Sequence, residues 1–249
     1  MKLVVAGATG FVGTEVVRQA IHHPSITSVI ALGRRATTIP EPSPKFKSVE
    51  CDNFSTWPDL VKEQLKGADA CIWLLAITPA KSKALPWDQV RTICYDYTTT
   101  GIETLSEIAN NSSSSNNNKP LRFVYASGAN TVRDPAKKPW ILGDYLLLRG
   151  NCEQKVLDFA AQSAGAVQSC VLKPGLIFGP GRDGLILRGF QAVLGILVGL
   201  PSLDVTDMAA TALKLAIDGP TKDTFDNRDL IETAREARGE AASSQGPSD

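Results

Sequence analysis

The sequence predicts an α/β fold built on a doubly wound, mostly parallel sheet. Three observations carry that expectation: short β-rich runs alternate with helical stretches, several runs are apolar on both faces, and a glycine-rich turn joins the first run to a helix.

In chain order, KLVVAG (2–7) is the first strand, and a helix over 11–22 follows the glycine turn. SVIALG (28–33) is the second strand; the connection beyond it, ATTIPEPSPK, is too rich in proline for a helix and reads as a loop. FKSVEC (46–51) is the third strand, with a helix over 58–66 behind it, and ADACIWLLA (68–76) is the fourth, followed by a long helix over 87–110. ANNSSSSNNNKP (109–120) is low-complexity and too polar to join a core, so it reads as a mobile surface insertion. LRFVYAS (121–127) is the fifth strand, 141–164 a helix and VQSCVLK (167–173) the sixth strand. One domain is expected over 1–238, with 176–238 contributing a substrate pocket and 239–249 forming a frayed tail.

Length and charge narrow the function. The chain has 249 residues, within the range of a single α/β domain. Lys plus Arg and Asp plus Glu number 26 each, so no net field gathers nucleic acid or an anionic membrane, and a small molecule is the expected partner. A homodimer is compatible with the sequence. The start, MKLVVAGATG, lacks the regions of a secretory signal, and the expected location is cytoplasmic. Five cysteines without a CxxC pair read as reduced core thiols, and no metal site is expected. The two histidines, His22 and His23, read as a solvated helix end rather than ligands. AVLGILVGL (192–200) is far shorter than the about 20 apolar residues that span a bilayer, and reads as a core helix or pocket wall.

The turn after the first strand is GATGFVG, with Gly7, Gly10 and Gly13 spaced GxxGxxG. Gly7 suits a tight turn, Gly10 lets the backbone approach a pyrophosphate, and Gly13 lets helix and strand pack closely, with the phosphates on the helix N-terminus. Thr9, Phe11 and Val12 complete the expected loop contacts to a dinucleotide. Where an enzyme preferring NAD carries an acidic residue for the ribose 2′-hydroxyl, this chain has Gly33-Arg34-Arg35. Adjacent guanidinium groups offer forked donors and permanent charge to a 2′-phosphate, so NADP(H) is the expected cofactor.

With GATGFVG placed after a strand, the chain resembles the short-chain dehydrogenase/reductase superfamily, a Rossmann-fold group, and within it the extended and atypical members. LKPGLIFGPG (172–181) is similar to the Leu-Arg-Pro-Gly stretch that follows the sixth strand of extended members, with Lys173 in place of Arg. The GRR after the second strand, the acid after the third and the C-terminal LPSLDVTDMAATALKLAIDGP and FDNRDLIETA resemble the Tat-interacting-protein-like branch. That resemblance implies that Asp52 and Asn53 contact the adenine, that Leu75, Ala76 and Ile77 flank the cofactor ribose, and that Lys173 and Pro174 lie near the nicotinamide, with Gly175 letting the chain pass close.

The same resemblance implies chemistry. A Ser after the fifth strand, here Ser127 in YASGA, would polarise a carbonyl, and the helix Tyr of a Tyr-x-x-x-Lys pair, here Tyr145, would donate the proton. The departure is Arg149 in the Lys position. Tyr145 and Arg149 are four residues apart and share one helix face; a guanidinium can favour a phenolate as an ammonium does, though its shape alters the ribose contacts. GRDGLILRGFQAVLGILVGLP suggests an apolar, even cyclic, substrate. The leading expectation is an NADP(H)-dependent carbonyl reductase. Two alternatives stay open, a non-redox isomerase or cyclase on the same scaffold and a cofactor-sensing interaction protein.

Overall fold

The computed structural model describes residues 1–111, 119–180 and 200–244, with side chains to residue 240. Strand β1 (Lys2–Ala6) leads through the glycine turn to α1 (Phe11–His22) and β2 (Ser28–Gly33). The proline-rich connection is a loop, after which β3 (Phe46–Glu50), α2 (Asp59–Leu65) and β4 (Ala70–Trp73) follow. A short helix α3 (Pro79–Ser82) precedes α4 (Trp87–Arg91), which runs through a π-turn (Thr92–Asp96) into α5 (Tyr97–Asn110). Then come β5 (Leu121–Ala126), a 3₁₀ turn (Pro135–Lys137), α6 (Gly143–Gln162), β6 (Val167–Leu172), β7 (Leu176–Phe178), β8 (Ser202–Asp204), α7 (Val205–Asp218), β9 (Thr224–Phe225) and α8 (Asn227–Ser244).

Among the described residues, seven strands form one sheet in the order β3-β2-β1-β4-β5-β6-β9, and every pairing in it is parallel. This is a Rossmann fold, doubly wound from β1. The winding reverses between β1 and β4, with β2 and β3 added on one side and β4, β5 and β6 on the other, which opens a crevice beyond the carboxyl ends of β1 and β4 where such folds bind ligands. The alternation of a strand sorts β1 into two cores: Leu3 and Val5 pack with α1 and α7 on one face, Val4 and Ala6 with α2, α5 and α6 on the other. On α1 the buried positions Gly13, Val16, Val17, Ala20 and Ile21 keep helical spacing, which is why that stretch lies on the sheet as a helix. All five cysteines are buried and unpaired.

Three features differ from the sequence expectation. The helix over 87–110 is continuous but carries the π-turn, where one extra residue per turn is accommodated. Beyond β6 the chain adds β7 and β8, which pair with each other as a separate two-stranded sheet, and β9, which extends the main sheet. Strands of two or three residues are too short to show a period, so the sequence pattern missed them. The last helix runs to Ser244, past the expected boundary at 238. Most of the low-complexity insertion and residues 181–199, which include most of the expected apolar pocket wall, lie outside the described residues.

Candidate functional site

The crevice is built first from the glycine turn. Gly7 has φ +88°, and a Cβ there would sit 3.1 Å from the carbonyl carbon of Leu74 just past the end of β4, so both conformation and space call for glycine. Its N–H donates to the Leu32 carbonyl (3.1 Å), and its own carbonyl accepts from Gly10 (3.0 Å), which closes the turn. A Cβ on Gly13 would overlap the Gly7 carbonyl and come within 2.8 Å of the Ala8 Cα, so helix and turn touch backbone to backbone. Gly10 is the N-cap of α1 with no side-chain cap, and the first turn carries no acidic residue. The positive end of the helix dipole is therefore left for an external anion, which is the fit a pyrophosphate requires.

The strand order sets the other expected cofactor residues in a row along the same edge. Asp52 and Asn53 lie exposed just past β3, Arg34 and Arg35 exposed past β2, then the glycine turn, then half-buried Leu75, Ala76 and Ile77 past β4. Neither Arg34 nor Arg35 is ion-paired within the described residues. The Asn53 side chain accepts from the Ser55 N–H (2.9 Å) and shapes its own turn. Thr9 is exposed, while Phe11 and Val12 are half-buried at the start of α1.

Helix α6 brings the expected acid to this edge. Tyr145 is buried in a small cluster with Val90, Cys94 and Leu148, packed against Ala76 and Ile77. Its hydroxyl donates to the Ile77 carbonyl at 2.6 Å. The π-turn places Cys94 so that its Sγ accepts from the Ile77 N–H at 3.3 Å, so both backbone groups of Ile77 are held, one from each helix. Burial pushes the Tyr145 phenol up to about 12; the Arg149 charge pulls the other way but does not overcome it.

Arg149 is 3% exposed and makes no ion pair within the described residues. One terminal nitrogen donates to the Ala126 carbonyl at the end of β5 (2.6 Å), and the guanidinium lies 5.0 Å from the centroid of the Tyr125 ring. The other, Nη1, is buried with no hydrogen-bond partner among the described residues. Of the competing tyrosines, Tyr125 is fully buried beneath Arg149, and Tyr95 and Tyr97 pack into the core, Tyr97 against Phe54 with ring centroids 5.6 Å apart.

Ser127 meets a residue that sequence reasoning missed. Its hydroxyl donates to Oε1 of Glu153 at 2.6 Å, and Glu153 is 0% exposed. The same carboxylate accepts from the Thr131 hydroxyl, from Arg133 Nε (2.9 Å) and from Lys173 Nζ (3.4 Å), and Lys173 also donates to the Thr131 carbonyl (2.8 Å). Tyr145, Arg149 and Glu153 stand at i, i+4 and i+8, so the stripe that carries the acid and its cation continues to a buried carboxylate; that spacing was the available signal. Gly150 beside it lets α6 touch the backbone of Val132. Pro174 accepts from the Ala129 N–H (2.8 Å), which ties the loops after β5 and β6 together. At Gly175 the close approach is to the Pro201 carbonyl, and its N–H donates to the Asn227 side chain (2.8 Å). Beyond Lys173 opens a cavity of about 760 Å³ with Asn130, Ser202, Asp226, Arg228 and Arg235 on its walls.

Residues 7–150 match the model of the NAD(P)H-binding family. The chain belongs to that family. This NAD(P)H-binding protein is 25% identical over 234 residues to "Protein FMP52, mitochondrial" of Candida albicans, covering 90% of this chain and 92% of the relative. Among solved structures it is similar to DesIV, a dTDP-glucose 4,6-dehydratase from Streptomyces venezuelae with NAD and TYD bound (TM-score 0.66, 17% identity, 96% of this chain and 81% of the other). It is also similar to the PhqB reductase domain from Penicillium fellutanum (TM-score 0.66, 16% identity, 93% and 68%). The expected NAD(P)-binding Rossmann domain is thus established, and the glycine turn lies inside the matched segment.

Proposed function

We propose that this protein is an NADP(H)-dependent oxidoreductase of the carbonyl-reductase type, acting on a small, mainly apolar carbonyl compound. The observation that carries the reading is the contact of Tyr145 with Ile77, which sets a protonated phenol against the segment that the cofactor ribose is expected to border. NADPH, when bound, supplies the hydride. Gly7, Gly10 and Gly13 with the open end of α1 hold its pyrophosphate, Arg34 and Arg35 meet the 2′-phosphate, Asp52 and Asn53 the adenine, and Lys173, Pro174 and Gly175 border the nicotinamide side. Tyr145 holds the proton that the nascent alkoxide takes up, and Arg149 stabilises the phenolate left behind. The adjacent arginine pair at the end of β2, with no acid in the NAD position, supports NADP(H) over NAD(H).

Replacing Tyr145 with Phe is expected to reduce NADPH-dependent turnover on a carbonyl panel at least a hundredfold while NADPH binding, read by fluorescence titration, changes less than threefold. Retained turnover would reject the assignment. The similarity to a dehydratase with NAD bound keeps a redox-neutral reaction as the second reading; product formation without net change in NADPH absorbance would favour it. For location, the relative's name sets mitochondria against the expected cytoplasm, and organelle fractionation decides between them. Among the described residues no helix is long and apolar enough to cross a membrane. A homodimer is proposed as the working state, to be read by light scattering.

A further inference from the structure

Three large apolar side chains stand in water beside the crevice. Trp140 is 98% exposed, Ile141 68% and Trp87 48%, whereas the other two tryptophans, Trp57 and Trp73, are buried. A single exposed leucine is ordinary, but an aromatic ring left almost wholly in water, with apolar neighbours, marks a contact surface. The three come from elements that lie side by side: Trp87 opens α4, whose Val90 packs with Tyr145 and Leu148 of α6, and Trp140 and Ile141 directly precede α6. These helices follow β4 and β5 of the parallel sheet, so they begin at its carboxyl edge, on the side of the crevice that holds Tyr145. Leu142, the N-cap of α6, has φ +57°, a left-handed conformation that is costly for a residue with a side chain. The helix therefore does not extend back through Ile141, and Trp140 and Ile141 project from the bend instead of lying along it. The polar residues among them are mainly cationic. Lys81, Lys83 and Lys137 are exposed and make no ion pair among the described residues, while Lys138 pairs with Asp144 at 2.6 Å. Asp134 caps the Ala136 N–H (2.9 Å), which leaves Asp88 as the exposed acid beside Trp87. The chain as a whole has no net charge, so this rim is a positive patch on a neutral molecule.

We propose that this rim docks the protein on an anionic lipid surface, with Trp140, Ile141 and Trp87 entering the headgroup layer and Lys81, Lys83 and Lys137 meeting lipid phosphates. Tryptophan suits that layer because its ring is apolar while its indole N–H can bond a headgroup. A lysine beside it buries its stem and keeps its ammonium at the phosphates. The core of a protein-binding surface is depleted in lysine, whereas a peripheral membrane contact combines exposed aromatic side chains with lysine, and it is the second composition that surrounds Trp140. Docked in this way, the crevice opens onto the lipid, and an apolar carbonyl compound dissolved there reaches Tyr145 without crossing bulk water. That consequence rests on the reductase reading; the docking does not.

The test is sedimentation of the full chain with vesicles of phosphatidylcholine alone and of phosphatidylcholine mixed equally with phosphatidylserine, with tryptophan fluorescence read on the same samples. Trp57 and Trp73 are buried, so a blue shift reports Trp87 and Trp140. Wild type is expected to bind the mixed vesicles with a blue shift, less tightly as salt rises, and to bind phosphatidylcholine at least about tenfold more weakly. Trp140→Ala combined with Ile141→Ser is expected to weaken binding to the mixed vesicles more than about tenfold, and Lys137→Gln about fivefold. Both side chains of the double variant stand in water, so its thermal midpoint and NADPH titration should match wild type, which separates lost docking from lost folding. Failure of wild type to sediment with the mixed vesicles, or wild-type binding by the double variant, would overturn the proposal. A dimer seen by light scattering that the double variant loses, with no vesicle binding by wild type, would assign the patch to a second copy of the chain instead. A wild type that reduces nothing on the carbonyl panel fails the reductase reading and leaves the docking result as it stands.

Discussion

At the scale of single residues the site is decided by burial. Tyr145 is 7% exposed, and desolvation raises its phenol to about 12 although Arg149 works against that. The folded state thus holds this proton more tightly than the unfolded chain, whose tyrosine titrates near 10. The stability that depends on it is complete below about pH 10 and declines as pH rises toward 12. For catalysis, the donor form persists throughout neutral pH, so kcat/KM for reduction is expected to show no tyrosine limb between pH 7 and 10; a steep fall centred near pH 8 in a pH-rate profile would contradict it. Arg149→Lys is expected to retain kcat within about tenfold, since one ammonium can still reach the Ala126 carbonyl and supply the charge; a larger loss in steady-state assays would show that the guanidinium plane over Tyr125 has its own role. The pairing of Tyr145 with Arg149 was legible because a four-residue spacing on a helix is geometry. Glu153 was not, because an isolated glutamate among polar neighbours in NCEQKV has the pattern of a solvated charge, and only the packing of the loops after β5 and β6 buries it.

At the scale of elements, the strands that could be read from sequence are the runs of four to six residues, most of them buried on both faces, with β3 half-exposed at the sheet edge; the boundaries moved by only a residue or two at most ends. What could not be read depends on partners distant in sequence. The π-turn in the helix behind β4 and the two-stranded β7–β8 sheet are set by contacts with Ile77 and Pro201, which no local window contains. The glycine turn lies between these cases, since its spacing was visible but the reasons for each glycine emerge only from its neighbours. Gly13→Ala would drive a methyl into the Gly7 carbonyl, and is expected to lower stability by about 1–3 kcal/mol and weaken NADPH binding more than tenfold in titration. Replacing both Arg34 and Arg35 with Ala should weaken NADPH at least tenfold and leave NADH within threefold; an equal loss for both nucleotides would mean that the pair does not read the 2′-phosphate.

At the scale of the whole molecule, the C-terminal segment is not an appendage. Helix α7 packs between α1 and α8 in the core that also covers β1, β9 completes the main sheet against β6, and Asn227 at the start of α8 joins the Gly175 N–H to the Ser202 carbonyl at 2.8 and 2.9 Å. The segment that borders the expected nicotinamide side, Lys173 to Gly175, is therefore held from β5 through Pro174, from α6 through Glu153 and from α8 through Asn227. Unfolding is expected to be a single transition, because one sheet carries both cores. A ligand that binds only the folded chain raises its stability by about 2.7 kcal/mol at a hundred times its Kd, so NADPH should shift that one transition upward as a whole. Asn227→Ala leaves two backbone groups without their partner and is expected to cost about 1–3 kcal/mol, read as a lowered thermal midpoint of that one transition. Two separate calorimetric transitions, with NADPH shifting only one, would show instead that the C-terminal segment folds on its own and that the site does not depend on it.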